Sequence, residues 1–222
     1  MQTLVRNPLA DPYLLGVSAG ASVGATAIIA LGMFASWGPH RLTLGALVGA
    51  LGAAGLVYLI SMAQGGMTPL RLVLSGVVLS AAFSALASFL VFRSSDPRAA
   101  QSVLYWMLGS VAGATWDSLW VAAIVTALSV VLMIAFSGWL DALSAGADVA
   151  RSLGIPDTRV RKALFVGNSV LVGVLVAVSG GIGFVGLVIP HMSRLLVGAS
   201  HRSMVPVAAA IGSLFLPVSY TH

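Results

Sequence analysis

Long apolar runs separated by short polar stretches dominate the chain. Seven stand out, at residues 14–37, 42–62, 72–92, 119–139, 163–179, 183–196 and 204–220. Within each run the apolar residues are consecutive rather than alternating. That pattern predicts membrane-spanning helices, whereas barrel strands would alternate apolar and polar positions. The first four runs approach the ~20 residues needed to cross the hydrocarbon core, and the fifth is at the short limit. The sixth is short and carries Pro190, so a broken or re-entrant segment is expected there. The seventh carries Pro206 and Pro217.

Two polar stretches are long. Residues 94–116 form an outer loop holding the apolar stretch Ala99–Leu108 between Asp96-Pro97 and Gly109-Ser110, which predicts a short interfacial or re-entrant half-helix. Residues 141–162 form the longest polar interruption. Its first half reads as one short amphipathic helix with Leu143, Ala147, Ala150 and Leu153 on one side, stopped by Gly154 and Pro156. Charge on the outer face of a surface helix between two spans suits docking of a soluble partner.

Composition sharpens this picture. Only 8% of the 222 residues are charged, against about 25% in a soluble domain. The fold class expected is therefore an all-α polytopic membrane protein, a single transmembrane domain over 1–222. No cysteine is present, which excludes disulfide and thiolate chemistry. Of the 11 basic residues, Arg6, Arg71, Arg151, Arg159, Arg161, Lys162, Arg194 and Arg202 fall on one side of the alternating spans. Arg41, Arg93 and Arg98 fall on the other. The larger set marks the cytoplasmic side, so the basic excess reports topology and no nucleic-acid partner is expected. Trp37, Trp106, Trp116 and Trp139 fall near span ends, as interfacial aromatics do. Gly16, Gly20 and Gly24, with Gly45 and Gly49, give small-xxx-small spacing for close helix packing, either within one bundle or at a dimer face.

Several motifs carry no chemistry in this context. Gly16-Val17-Ser18-Ala19-Gly20 matches a nucleophile elbow, but Ser18 opens an apolar helix and no strand precedes it. An intramembrane serine protease pairing Ser18 with His191 is kept as an alternative. Gly181-Ile182-Gly183-Phe184-Val185-Gly186 matches a dinucleotide fingerprint without its strand, helix or acidic residue, and reads as a tight outer turn. His40, His191, His201 and His222 are scattered over different segments, so neither a metal nor a cofactor is expected. The first five runs hold no charge. This disfavours the other alternative, an ion-coupled secondary carrier, and requires energy to enter from a partner.

Four motifs together carry a family resemblance. They are Arg6-Asn7-Pro8-Leu9-Ala10-Asp11-Pro12-Tyr13-Leu14-Leu15-Gly16-Val17-Ser18-Ala19-Gly20-Ala21, Tyr105-Trp106-Met107-Leu108-Gly109-Ser110, Ala150-Arg151-Ser152-Leu153-Gly154-Ile155, and Gly183-Phe184-Val185-Gly186-Leu187-Val188-Ile189-Pro190-His191 with Arg194-Leu195 and His201-Arg202 after it. In this order they resemble the FecCD-type permeases of iron-siderophore, haem and vitamin B12 importers, which are type II ATP-binding cassette importers. The resemblance implies a non-enzymatic permease subunit of a bacterial cytoplasmic (inner) membrane. It implies ten helices per subunit, two subunits (homo- or heterodimer) around one pathway, separate ATPase subunits, and a periplasmic or lipid-anchored substrate-binding protein. By the same alignment the chain begins after helix 2 and ends inside helix 9, so about seven of the ten helices are present. Residues 216–222 depart from the family's Ala-Asp pair and following basic residue. The resemblance assigns 141–157 to the paired coupling helices, with Leu143, Ala147, Ala150, Arg151, Leu153 and Gly154 as ATPase-coupling residues. It assigns Asn7 and Leu9 to a cytoplasmic gate opposite Pro69 and Leu70, and Ala99–Leu108 to the wall of the path.

Overall fold

The computed structural model describes residues 1–7, 9–32, 40–112 and 114–221, with side chains to residue 216. Pro8, Trp37, His222 and the side chains of 217–221 lie outside the described residues. Among the described residues every regular element is a helix. In order these are α1 (Gln2–Val5), a 3-10 turn (Pro12–Leu15), α2 (Val17–Leu31), α3 (Arg41–Ala63), α4 (Pro69–Arg93), α5 (Ala99–Leu108) and α6 (Trp116–Ala135). Then follow α7 (Ser137–Ala145), α8 (Ala147–Ser152), α9 (Asp157–Ser179), α10 (Val185–Val197) and α11 (His201–Thr221). Helices α3, α4, α6 and α9 are long and apolar enough to cross a membrane; α2, α10 and α11 over His201–Leu216 are shorter apolar helices.

The chain divides into two compact units, one of Met1–Pro12, Thr126–Phe165 and Gly183–His222, the other of Tyr13–Val125 and Val166–Ile182. In the second, α2 packs on α3 and α4, and α5 lies against α2 and α4. Small residues make this possible. A Cβ placed on Gly24 would sit 1.9 Å from the Gly45 carbonyl oxygen, and one on Gly49 would sit 2.1 Å from that of Gly20. The backbones of α2 and α3 therefore touch directly, as small-residue seams in membranes allow. The small-xxx-small spacing thus serves packing within one chain. Around the seam, Val17, Ala21, Ala25 and Ile28 of α2 and Ala46, Ala50, Ala53 and Val57 of α3 are buried. In the first unit, α1 and α11 pack on α7, and α10 on α11.

Three elements depart from the apolar pattern. The run 119–139 is two helices: α6 stops at Ala135, Phe136 leaves helical geometry, and α7 begins at Ser137. Ser137-Gly138 supply weak helix formers at the break. Trp139 consequently belongs to α7, where its ring lies 5.4 Å from that of Phe136. Helix α9 starts at Asp157, so Arg159, Arg161 and Lys162 lie in its opening turns. Helix α10 runs through Pro190 without a break; Pro190 supplies no N–H for the bond to the Gly186 carbonyl.

Candidate functional site

The polar interruption folds as two short helices. Gly146 separates α7 from α8 with φ 148° and ψ 159°, a conformation that only glycine adopts without strain. This break resets the helical phase. Leu143 and Ala150 point inward with Ala142 and Ile155, packed against Val160 and Leu164. Ala147 is half-buried. Leu153 is not on that inner face: it is 66% exposed, and Ile155, beyond Gly154, fills the apolar floor instead. The single amphipathic helix read from the sequence is therefore corrected to a helix pair with Leu153 outside. Val149 and Leu153 are the apolar residues of the outer surface. They stand beside Asp148 and Arg151, which pair at 3.2 Å; Arg151 also reaches Asp157 at 3.7 Å. Such open pairs are worth at most about 1 kcal/mol, so they leave the surface adaptable.

Behind the helix pair lies a closed polar ring. The Asp141 carboxylate accepts from the His201 backbone N–H (3.0 Å), from its ring at Nδ1, and from the Ser200 hydroxyl (3.2 Å). The other ring nitrogen, Nε2, lies 3.0 Å from Thr3 Oγ1, and the Ser144 hydroxyl donates to the same Thr3 oxygen at 3.3 Å. Asp141 and Ser144 are three apart on α7 and so share a face. Burial raises the Asp141 pKa, but the bonds from His201 and Ser200 and the charge on His201 outweigh it, holding the carboxyl below its ordinary value. Arg161, only 7% exposed, donates to the Leu4 carbonyl, and Arg194 donates to the Gln2 side chain. The basic stretch at the start of α9 is thus partly structural.

The other unit holds a cavity of about 580 Å³ among α2, α4 and α5. Its polar lining is hydroxyl: Tyr13, Ser18 and Ser22 on one side, and Ser80, Ser84 and Ser88 along one face of α4. Met107, Val103 and Leu104 of α5 close it with apolar surface. The Ser22 and Ser88 hydroxyls donate to the carbonyls of Ser18 and Ser84 one turn back, which leaves their lone pairs for the cavity. Among the described residues, no charged side chain lines it. The half-helix α5 spans Ala99–Leu108 as expected, and its end is pinned where the Ser110 N–H donates to the Ser179 carbonyl at 2.7 Å. The i, i+4 repeat of Ser80, Ser84 and Ser88 was the available sequence signal for this wall, and pattern reading passed over it.

The remaining candidates fall as follows. Asn7 Oδ1 accepts the Leu9 N–H at 2.9 Å, a local turn that leaves Leu9 exposed. Pro69 and Leu70 open α4 behind the Thr68 cap, with Leu70 exposed. The two pairs belong to different units, as do Ser18 and His191.

Known proteins resemble the chain over its whole length. The sequence profile of the FecCD transport family matches residues 1–222. Over 225 residues the chain is 37% identical to the cobalamin import system permease protein BtuC of Halobacterium salinarum, covering 100% of this chain and 58% of that protein. Over 216 residues it is 34% identical to the Fe(3+)-citrate import system permease protein YfmD of Bacillus subtilis, covering 97% of this chain and 63% of that one. A solved structure, an inward-facing conformation assigned to the metal-chelate type of ABC transporter, superimposes with a TM-score of 0.86 at 33% identity, over 98% of this chain and 69% of that one. The chain spans about six tenths of the length of the curated relatives it matches.

Proposed function

The chain belongs to the FecCD transport family, and from that membership we propose that it is the membrane-spanning permease part of an ATP-binding cassette importer. The family and its named relatives are transporter permeases and not enzymes; they match neither the serine protease nor the ion-coupled carrier. The cargo class is an iron chelate, haem or cobalamin. Separate ATPase subunits supply the energy, a periplasmic or lipid-anchored binding protein delivers the cargo, and a second permease subunit, identical or not, completes the pathway. The setting is the cytoplasmic membrane of a bacterium.

The observation that carries this reading is the α7–α8 pair. Its inner face is buried on its own unit while Val149 and Leu153 remain exposed on the outer one. Exposed apolar side chains ringed by mixed charge suit a soluble partner's cleft. The residues named for coupling divide the work: Leu143, Ala147 and Ala150 form the floor, and Arg151, Leu153 and Gly154 present the docking edge. ATP-driven closure of the ATPase pair then moves α7–α8 and rocks the spans. The hydroxyl-lined cavity under α5 is the wall that cargo passes, offering hydrogen bonds but no charge to hold it. Asn7 and Leu9 of one unit, and Pro69 and Leu70 of the other, are each read as cytoplasmic gate residues. Helix α6, apolar and little covered by the rest of the chain, faces lipid or the second subunit.

The test is uptake by vesicles containing the full-length permease, its ATPase and its binding protein. Uptake is expected to require ATP and to be lost in Leu153→Asp together with ATPase co-purification. Uptake that follows an ion gradient without ATP would overturn the reading.

A further inference from the structure

We propose that Asp141 and His201 are positioning residues that tie the start of α11 to α7, so that α11 moves as one body with the docking helices. This inference rests on the docking reading given above. Helix α11 has no acidic residue in its first turn. The Ser200 carbonyl already accepts the Met204 N–H at 2.9 Å, which makes Ser200 the N-cap, yet its hydroxyl is turned away to Asp141. The His201 N–H, one of the donors that a helix start leaves unpaired, is answered by a carboxylate 60 positions earlier in the chain. Asp141 is therefore an N-cap supplied by another helix. It places a negative charge where the dipole of α11 favours one.

The link is stiff because it closes on itself. From Asp141 the path runs through both nitrogens of the His201 ring to Thr3 on α1 and returns to α7 at Ser144. Helix α7 is thereby gripped at two residues on one face, and a single imidazole spans the gap. A tilt of α7 must either carry α11 with it or break several bonds together. By contrast, α8 meets α9 through an apolar floor and one open ion pair, Arg151 to Asp157. A push that tilts α7 therefore reaches α11 through polar bonds of fixed direction.

The chain contains no cysteine, so a full-length permease with Ser152→Cys on α8 and Ala209→Cys on α11 can be spin-labelled at two sites once any cysteine outside these 222 residues is replaced. The distance between labels is measured by pulsed electron resonance in complex with the ATPase, with and without ATP and magnesium. One narrow distance in both conditions is expected for the unaltered network. In Asp141→Ala, and in His201→Asn, which cannot reach Thr3, ATP should split or broaden it, while Asp141→Asn, which keeps an acceptor oxygen, should stay narrow. Bound ATPase with the same distances in Asp141→Ala as in the unaltered protein would overturn the proposal alone. Failure of the ATPase to bind the unaltered protein would overturn the docking reading, and this proposal with it.

Discussion

The α2–α3 seam makes the sharpest quantitative prediction. In Gly24→Ala the new methyl would sit 1.9 Å from the Gly45 carbonyl oxygen and 2.7 Å from its carbon. Both are backbone atoms and cannot rotate away. Restoring an ordinary separation of about 3.5 Å means parting the helices by about 1.5 Å at the crossing. A gap half that size already forfeits between a quarter and a half of each contact's dispersion energy. Dispersion is the main force between helices in lipid. Overpacking of this kind costs about 1–3 kcal/mol, and alanine's better helix propensity returns about 1 kcal/mol. Gly52→Ala is the control, because a methyl there meets nothing within 4 Å on the same helix α3; it should be neutral or up to about 1 kcal/mol stabilising. Titrating the full-length protein in mixed micelles with dodecyl sulfate, and following helical circular dichroism, should separate the variants by about 2 kcal/mol. Coincident unfolding transitions would refute the direct backbone contact.

Other outcomes follow from the first unit. Ala150 is fully buried in the floor under α8, so Ala150→Trp should displace α8 and abolish ATPase co-purification while the protein still inserts in the membrane; retained co-purification at unchanged affinity would count against that floor. Ala147→Ser, at a half-buried position, should leave binding within about twofold, corresponding to less than 0.5 kcal/mol. Asp141 has a depressed folded pKa, so its stabilisation is complete above the ordinary carboxyl value of 3.8 and is lost as pH falls through the folded value. The difference in thermal midpoint between the unaltered protein and Asp141→Ala should therefore shrink as pH falls through the carboxylate range of roughly 4 toward about 3.

Legibility differed sharply between the two units. Helix α5 was readable to its end residues because Asp96-Pro97 and Gly109 punctuate it on both sides. The glycine seam was readable as spacing, but which helices it joins was not, since spacing does not name a partner. The break at Phe136 went unread because its only mark, Ser137-Gly138, sits inside a run that stays apolar overall, and the hydropathy signal cannot see a change of helix axis. Leu153 was misplaced for a related reason: helical periodicity assumes one axis, and Gly146 starts a new one. The Asp141–His201 link lay furthest from reach. Its residues are individually ordinary, and only folding brings positions 60 apart together. Its one trace was negative, an α11 whose first turn lacks an acid of its own.

The borrowed cap on α11 also bears on the order of assembly. Thr3, Asp141 and Ser144 all precede His201 in the chain. At a synthesis rate of about 5–20 residues per second, the 60 positions from Asp141 to His201 take about 3–12 s to emerge. The acceptors are thus present before the helix start that needs them leaves the ribosome. A new α11 never has to wait with a bare amino-terminal end, whereas the α7 carboxylate does wait, as a solvated anion, for its partner. Moving 201–221 ahead of residue 137 by circular permutation would reverse that order, exposing the uncapped turn first and slowing the acquisition of native helical structure.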